Sequence, residues 1–592
     1  MPDDAVPSTP SEATPPEAAT APSEAAAAPA AGVPAAAVPP AAQAGAGARA
    51  VAGAQDGVPR PAYAQTQPQT AQQLSQQQQW QQWQAHQQWQ QARQRKAAQP
   101  PAWRAGVRPG PPARVRAASL FAALATAVLS GLFLGDGLGA NLLIVAVPAT
   151  LAAFFAAQAA GRRIRPWTLL WGIAGLALLA IPVLRDAGWP TFLAVVSALA
   201  LGSLALHGSR TWLGILIGSL GIVGSVVPGI RWGWQGLRER AEGSRDRWGP
   251  VVRTVVIAAV LLVVFGALFV SADAAFAELL GNLMPDASVS DGPWRILLFA
   301  LGLVGALAAA RTAAAPHQWD KARIAPARAR GRMEWALPLI VLNLLFAAFI
   351  AVQLTVLFGG YEKVLKETGL TYAQYARQGF WQLLWATLLT LVVIALAKRW
   401  APRSRPGDAT LVRSVLGVLC LLTLVVVASA LRRMDLYVDA YGLTRLRVSV
   451  TAMELWLGVV IVLIMAAGVF GARWLPRAVA GSAAAAVLAF GLASPDALVA
   501  ERNVARFKHQ QVIDVEYFRG LSADAVPALD TLPEPQRTCA LRGIMSGLEE
   551  SPWYATSLGQ QRALDIVENR PLDPSVNNCR GLDSGDSGEY GR

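Results

Sequence analysis

Twelve apolar runs recur between residues 117 and 494, at 117–135, 138–160, 166–184, 188–206, 211–230, 254–272, 296–314, 335–358, 379–397, 411–431, 449–471 and 476–494. About 20 apolar residues are enough for a helix to cross the hydrocarbon core of a bilayer. A chain with so many such runs has one economical fold: an all-α, polytopic membrane protein. The composition agrees, with 15% charged residues where soluble domains carry roughly 25%.

The charges between the runs set the threading. Arg93, Arg95, Lys96, Arg104, Arg108, Arg114 and Arg116 precede the first run with no acidic residue among them. By the positive-inside rule the amino terminus is cytoplasmic. Segment 231–253 holds six arginines against three acids, and 311–334 holds six basic residues against two acids. Between them, 273–295 carries Asp273, Glu278, Asp286 and Asp291 against Arg295. So 231–253 and 311–334 belong inside and 273–295 outside, which requires an even number of crossings before Arg231. The runs number five there. The run at 211–230 is the odd one, interrupted by Gly214, Gly218, Gly221, Gly224, Pro228 and Gly229. A re-entrant or interfacial segment removes the conflict, although Gly214 and Gly218 also form a GxxxG pair that suits a packed helix. The expectation is about eleven (11–12) transmembrane helices, amino terminus in and carboxyl terminus out. Twelve with both ends inside is the alternative. One loop dissents: 432–448 has Arg432, Arg433, Arg445 and Arg447 against two aspartates.

The first hundred residues contain no apolar core of a signal peptide, so the first membrane helix is expected to direct insertion into the plasma membrane. The net charge of +13 is explained by these orientation signals, and nucleic acid is not an expected partner. The lipid bilayer is, together with an envelope protein or a lipid-linked ligand.

Three regions follow. Residues 1–115 form a cytoplasmic tail, Ala/Pro-rich and then Gln-rich with Trp80, Trp83 and Trp89. Its composition predicts disorder, with a membrane- or partner-touching segment as the sharper reading of the tryptophans. Residues 116–494 are the membrane domain. Residues 495–592 form a small helical extracytoplasmic domain. Ser494-Pro495 reads as a helix start, two short helices join near Ser522, and 534–547 and 557–569 supply two more. Cys539 and Cys579 permit a disulfide in an oxidising compartment; free structural thiols are the other reading.

Two motifs break the apolar pattern. In "TYAQYARQGF", Thr371 and Gln374 fit a capping box, which starts a helix at Tyr372. From there to Ala397 it measures about 39 Å, against a hydrocarbon core of about 30 Å. Its first turns therefore stand in the headgroup layer, with Tyr372 and Tyr375 on one face. Arg377 there either snorkels to the interface or joins a site. The second motif, "RRMDLYVDAYGLTRLRV", suits a segment lying along the membrane surface with a turn at Tyr441-Gly442. Glu454 follows, about 10 Å into the next helix. A carboxylate at such depth faces protein and takes a partner; Arg377 or Arg432 is the expected one, with a snorkelled or protonated carboxyl as the alternative. The external-face candidates for binding are Asp273, Tyr372, Tyr375, Arg377, Asp439, Tyr441, Arg447 and Glu454. No nucleotide loop, zinc motif or nucleophile elbow is present. The four histidines fall in unrelated regions, so no metal or other cofactor is expected.

The stretches "EWALPLIVLNLLFAAFIAVQLTVLFGG", "TYAQYARQGFWQLL", "LYVDAYGLTRLRV" and "AERNVARF" resemble a bacterial, often actinobacterial, membrane family catalogued as a domain of unknown function (4153/4173). The resemblance covers roughly residues 250–530. It implies a multi-pass membrane protein and places Tyr372, Tyr375, Arg377, Tyr441 and Arg447 inside shared motifs, without making them catalytic. Three functions are consistent with these features. The first, to which the intramembrane Glu454 and the glycine-broken run lean, is transport or flipping of an envelope-related solute or lipid. The second is a non-enzymatic envelope sensor or assembly scaffold. The third is an enzyme on a lipid-linked substrate using Asp273 or Asp439, for which no catalytic spacing is visible.

Overall fold

The computed structural model describes residues 106–242, 292–322, 328–359, 372–402, 405–548 and 551–576, with Cys579 and isolated positions between 80 and 88 and between 254 and 273. The chain divides into two units, Met1–Gln90 and Gln91–Arg592. In the first, most of which lies outside the described residues, Trp80 and Trp83 meet edge to face at 5.7 Å. The second unit is helical and, among the described residues, contains no strand.

Its helices are α1 (Ala117–Phe133), α2 (Asn141–Ala159), α3 (Pro166–Leu179, continued by a turn at Ile181–Leu184), α4 (Gly188–His207), α5 (Trp212–Ser219), α6 (Val226–Glu242), α7 (Gly292–Ala314) and α8 (Arg332–Gly359). Then follow α9 (Tyr372–Trp400), α10 (Asp408–Tyr441), α11 (Arg445–Phe470) and α12 (Leu475–Ala493). A terminal domain holds α13 (Pro495–Gln510), α14 (Gln536–Met545) and α15 (Leu558–Asn569), with short turns at Val515–Phe518, Ala523–Ala525 and Val526–Leu529. Among the described residues, nine helices are long and apolar enough to cross a membrane. The 17-residue α1 is slightly shorter.

Small residues let the helices approach closely, the main device for packing where lipid removes the hydrophobic drive. Ala123, Ala152, Ala156, Ala306, Ala310 and Ala313 form the seam of α1, α2 and α7. Gly302 on α7 faces Ser130 and Thr126 of α1, while Gly131 faces Arg295 and Phe299. The pairing runs antiparallel, so α1 begins where α7 ends. We call that the near end of the bundle and the opposite one the far end. Arg162, just after α2, donates to the carbonyls of Ala313 and Leu206, which puts the ends of α2, α4 and α7 together at the near end.

Helices α5 and α6 form a pair bent by 60°. At its start, Asp320 accepts hydrogen bonds from the Arg210 and Thr211 amides. Gly221, at the bend, packs on the His207 ring. At its finish, Arg240 donates to the Val115 carbonyl and Trp232 donates to that of Ala113. Start, bend and finish all meet near-end groups, so the pair begins and ends on one side of the bundle. The glycines that break this run are also its packing surface: Gly229 lies against the backbone of Ala308. Helices α8 to α12 alternate in direction, and the terminal domain sits at the far end.

Two expectations need correction. Residues 432–441 do not lie along the surface; they are the last turns of α10, which runs 34 residues without interruption. No helix breaker occurs before Gly442, whose φ of 77° ends the helix. Ser494 does precede α13, but its hydroxyl makes no cap hydrogen bond. The tail at 1–115, apart from its last residues, and the Thr371 cap lie largely outside the described residues. Helix α9 does begin at Tyr372.

The terminal domain has a core of its own, including Val499, Phe507, Phe518, Leu529 and Leu541. Cys539 and Cys579 are joined by a disulfide. A buried Arg537, bonded to Asp530, Glu534 and the Arg570 carbonyl, ties α14 to the chain after α15.

Candidate functional site

The far ends of α9, α10 and α11 enclose a cavity of about 260 Å³. Phe380 and Trp381 line it from α9, Met434 and Tyr437 from α10, and Thr444, Leu446, Arg447 and Val450 from the turn and α11. Local sequence explains its shape. Gly442 turns the chain, and the Thr444 hydroxyl accepts from the Arg447 amide to start α11. Arg447 then folds back over the turn. Its guanidinium donates to the carbonyls of Tyr441 and Gly442 and lies 4.1 Å from the centre of the Tyr437 ring. The carbonyls at a helix C-terminus carry partial negative charge, and the ring face adds a cation–π contact. The Tyr441 ring packs edge to face on Tyr437 at 5.2 Å.

One turn below Val450 on the same helix lies Glu454, which is fully buried. Its Oε1 accepts a hydrogen bond from the Thr387 hydroxyl of α9 at 3.2 Å. Its Oε2 has no partner among the described residues. The Thr387 hydroxyl also stands 3.0 Å from the Leu383 carbonyl, so one proton serves two acceptors. Phe380, Leu383, Leu384, Val426 and Leu457 form the surrounding apolar shell. The site thus has a cationic, aromatic mouth, an apolar middle and a buried carboxyl.

The structure brings together three of the sequence candidates: Tyr441, Arg447 and Glu454. Asp439 is exposed on α10 outside the cavity, and Asp273 is exposed elsewhere in the chain. Tyr372, Tyr375 and Arg377 occupy the first turns of α9; their side chains lie outside the described residues. The expected Arg432 partner of Glu454 is corrected: Arg432 is exposed, and the observed partner is Thr387. The histidines need a correction too. His207 and His317, distant in sequence, meet with ring centres 6.3 Å apart. Among the described residues no group of three or more His, Cys, Asp or Glu is placed to hold a metal ion.

A further set of polar residues seats the terminal domain on three far-end loops. At the α10–α11 turn, Arg445 forms two hydrogen bonds of 2.6 Å to Asp496, and the Asn503 side chain pairs with both backbone groups of Leu443. At the α1–α2 loop, the Tyr554 hydroxyl donates to Asp136, which also pairs with Arg295. At the α3–α4 loop, Asp186 accepts from the Ala523 amide at 2.9 Å. Burial pushes the Asp186 pKa up; the Ala523 amide opposes this, and the charges of Asp524 and Asp496 add to it. None of these pairs has a local sequence signature, because the partners lie 51 to 418 positions apart.

The architecture is that of an all-helical integral membrane protein whose far end is covered by a folded helical domain. A family model described as "Domain of unknown function (DUF4153)" matches residues 172–532, and the chain belongs to that family. The match starts earlier than the quoted motifs, taking in α3 to α6. No curated protein and no solved structure matches the chain.

Proposed function

We propose that this membrane protein transports or flips an amphiphile of the cell envelope, with its near end in the cytoplasm and its covered end outside. The observation that carries the reading is the buried Glu454 beneath the Arg447–Tyr437 cavity. A carboxylate inside a membrane helix is costly and marks a functional site by default. A proton on Glu454, donated to the Thr387 oxygen, would free the threonine proton for the Leu383 carbonyl and satisfy the cluster. Arg447 and the cavity rings suit an anionic head next to an apolar body. The orientation rests on the basic near-end loops.

The test is reconstitution into proteoliposomes, with transbilayer movement of fluorescent anionic phospholipid and polyprenyl-phosphate analogues followed by quenching. Glu454→Gln should lower the rate about tenfold or more, corresponding to about 1.4 kcal/mol or more in the barrier. Unchanged movement of every probe in Glu454→Gln and Arg447→Ala would remove the mechanism. A second reading, an envelope sensor or scaffold, is favoured by the three-point seating of the terminal domain. It predicts a signalling or assembly defect when residues 1–100 are deleted, with lipid movement intact.

A further inference from the structure

At the near end, opposite the cavity, three arginines from three separate elements converge. Arg165 stands at the N-cap of α3, Arg210 lies in the turn after α4, and Arg477 occupies the first turn of α12. The electrostatic neighbours of Arg477 are Arg210, Asp320 and Arg165. Its guanidinium stacks 4.8 Å from the Trp167 ring centre, and its Nε donates to the Ser209 carbonyl at 3.2 Å. Arg162 extends the cluster inward. Burial, and then the charge of Arg165, hold its pKa below the ordinary value.

The one carboxylate in this set is already engaged. Asp320 accepts from the amides of Arg210 and Thr211 and from the Thr211 hydroxyl. Like charges held together repel, so the cluster favours a bound anion. Arginine forks match phosphate oxygens. The flanking surface is apolar and outward-facing: Ile164, Trp167 and Leu170 on the α3 side, Trp212 and Leu216 on α5, all exposed. Tryptophans mark the headgroup level, so an anion held here has hydrocarbon directly beside it.

We infer that Arg165, Arg210 and Arg477, with Trp167, form a headgroup site for an anionic phospholipid, its phosphate on the guanidinium groups and its acyl chains along α3 and α5. The site holds the re-entrant pair α5–α6 to the rest of the near end through lipid as well as protein. It is separate from the Glu454 cavity and stands whether or not that cavity transports.

Native mass spectrometry of the full chain, offered phosphatidylglycerol or phosphatidylcholine in detergent, tests this. The wild type should retain phosphatidylglycerol preferentially, and Arg165→Gln/Arg210→Gln should weaken that preference about thirtyfold. Both residues are exposed, and the variant keeps the Arg477 contacts with the α4 turn. The single variants Arg165→Gln and Arg210→Gln, each with a smaller loss, cover the case in which the double variant fails to fold. Equal retention of the two lipids by the wild type, or an unchanged preference in every variant, would overturn the assignment. So would full displacement of the lipid by excess inorganic phosphate, which would make this a free-anion site.

Discussion

Arg445 and Asp496 join the membrane domain to its cover, and removing one partner should hurt more than removing both. The pair is bidentate, with both contacts at 2.6 Å. The Asp496 side chain is 9% exposed, the Arg445 side chain 41%. Arg445→Ala leaves a nearly buried carboxylate with one remaining donor, the Ser522 amide at 2.8 Å. Stranding one partner of a buried pair costs about 3–5 kcal/mol; the surviving Ser522 bond and the half-exposed arginine point to the low end, about 3. In Arg445→Ala/Asp496→Ala no charge is stranded. What remains is one unpaired amide and the loss of a partly exposed ion pair, about 1–2 kcal/mol. Hydrogen exchange at Leu443, whose amide is held by Asn503 in both variants, reads the opening of the seat. The single variant should open about a hundredfold more often than wild type, since each 1.4 kcal/mol is a factor of ten. The double variant should recover about a factor of ten of that loss. A double variant as open as Arg445→Ala, or more so, would refute the reasoning, because the penalty would then lie in lost contacts rather than in the stranded charge.

Asp186 gives the seating a pH dependence. Its folded pKa is raised, so its contribution is fully present below the unfolded carboxyl value of about 3.9 and is lost as pH rises through the folded value. Exchange at the Ala523 amide should quicken from pH 4 toward neutrality, and Asp186→Asn should flatten that slope. Gly139 is a tight contact: a Cβ there would stand 2.8 Å from the Tyr554 carbonyl oxygen and 2.9 Å from the Ala555 carbonyl carbon. Gly139→Ala should therefore lift this edge of the cover at a cost of about 1–3 kcal/mol, seen as faster proteolysis near Trp553. Reporters fused after Ser209 and after Glu242 should read the same side of the membrane; opposite sides would reject the re-entrant reading of α5–α6.

The membrane helices were legible because their signal is local: a run of apolar residues is visible wherever it stands. The break in the run at 211–230 was legible for a different reason, since its glycines interrupt the apolar pattern and the charges on either side marked it as the odd one in the parity of crossings. The surface reading of 432–441 failed because polar residues in a helix that has left the bilayer look like those of an interfacial segment. Only the absence of a breaker before Gly442 distinguishes them. Within the site, Glu454 was found by its cost in lipid, but Thr387 was not, because a threonine in an apolar helix bonds its own backbone as readily as a distant carboxyl. The seats of the cover were invisible for the same reason as the His207–His317 pair, in that each joins positions with no shared local pattern.

The three seats of the terminal domain lie on loops of helices from both halves of the bundle, α1 to α4 on one side and α10 and α11 on the other. A body fastened at three non-collinear points acts as a splint. Any rocking of one half against the other must first release a seat, and the seats differ in kind: an aromatic hydroxyl on Asp136, an aspartate that accepts from the Ala523 amide and the Gln560 side chain, and a bidentate ion pair. The hold of the Asp186 seat varies with protonation. The pH at the far end would then set how freely the two halves move.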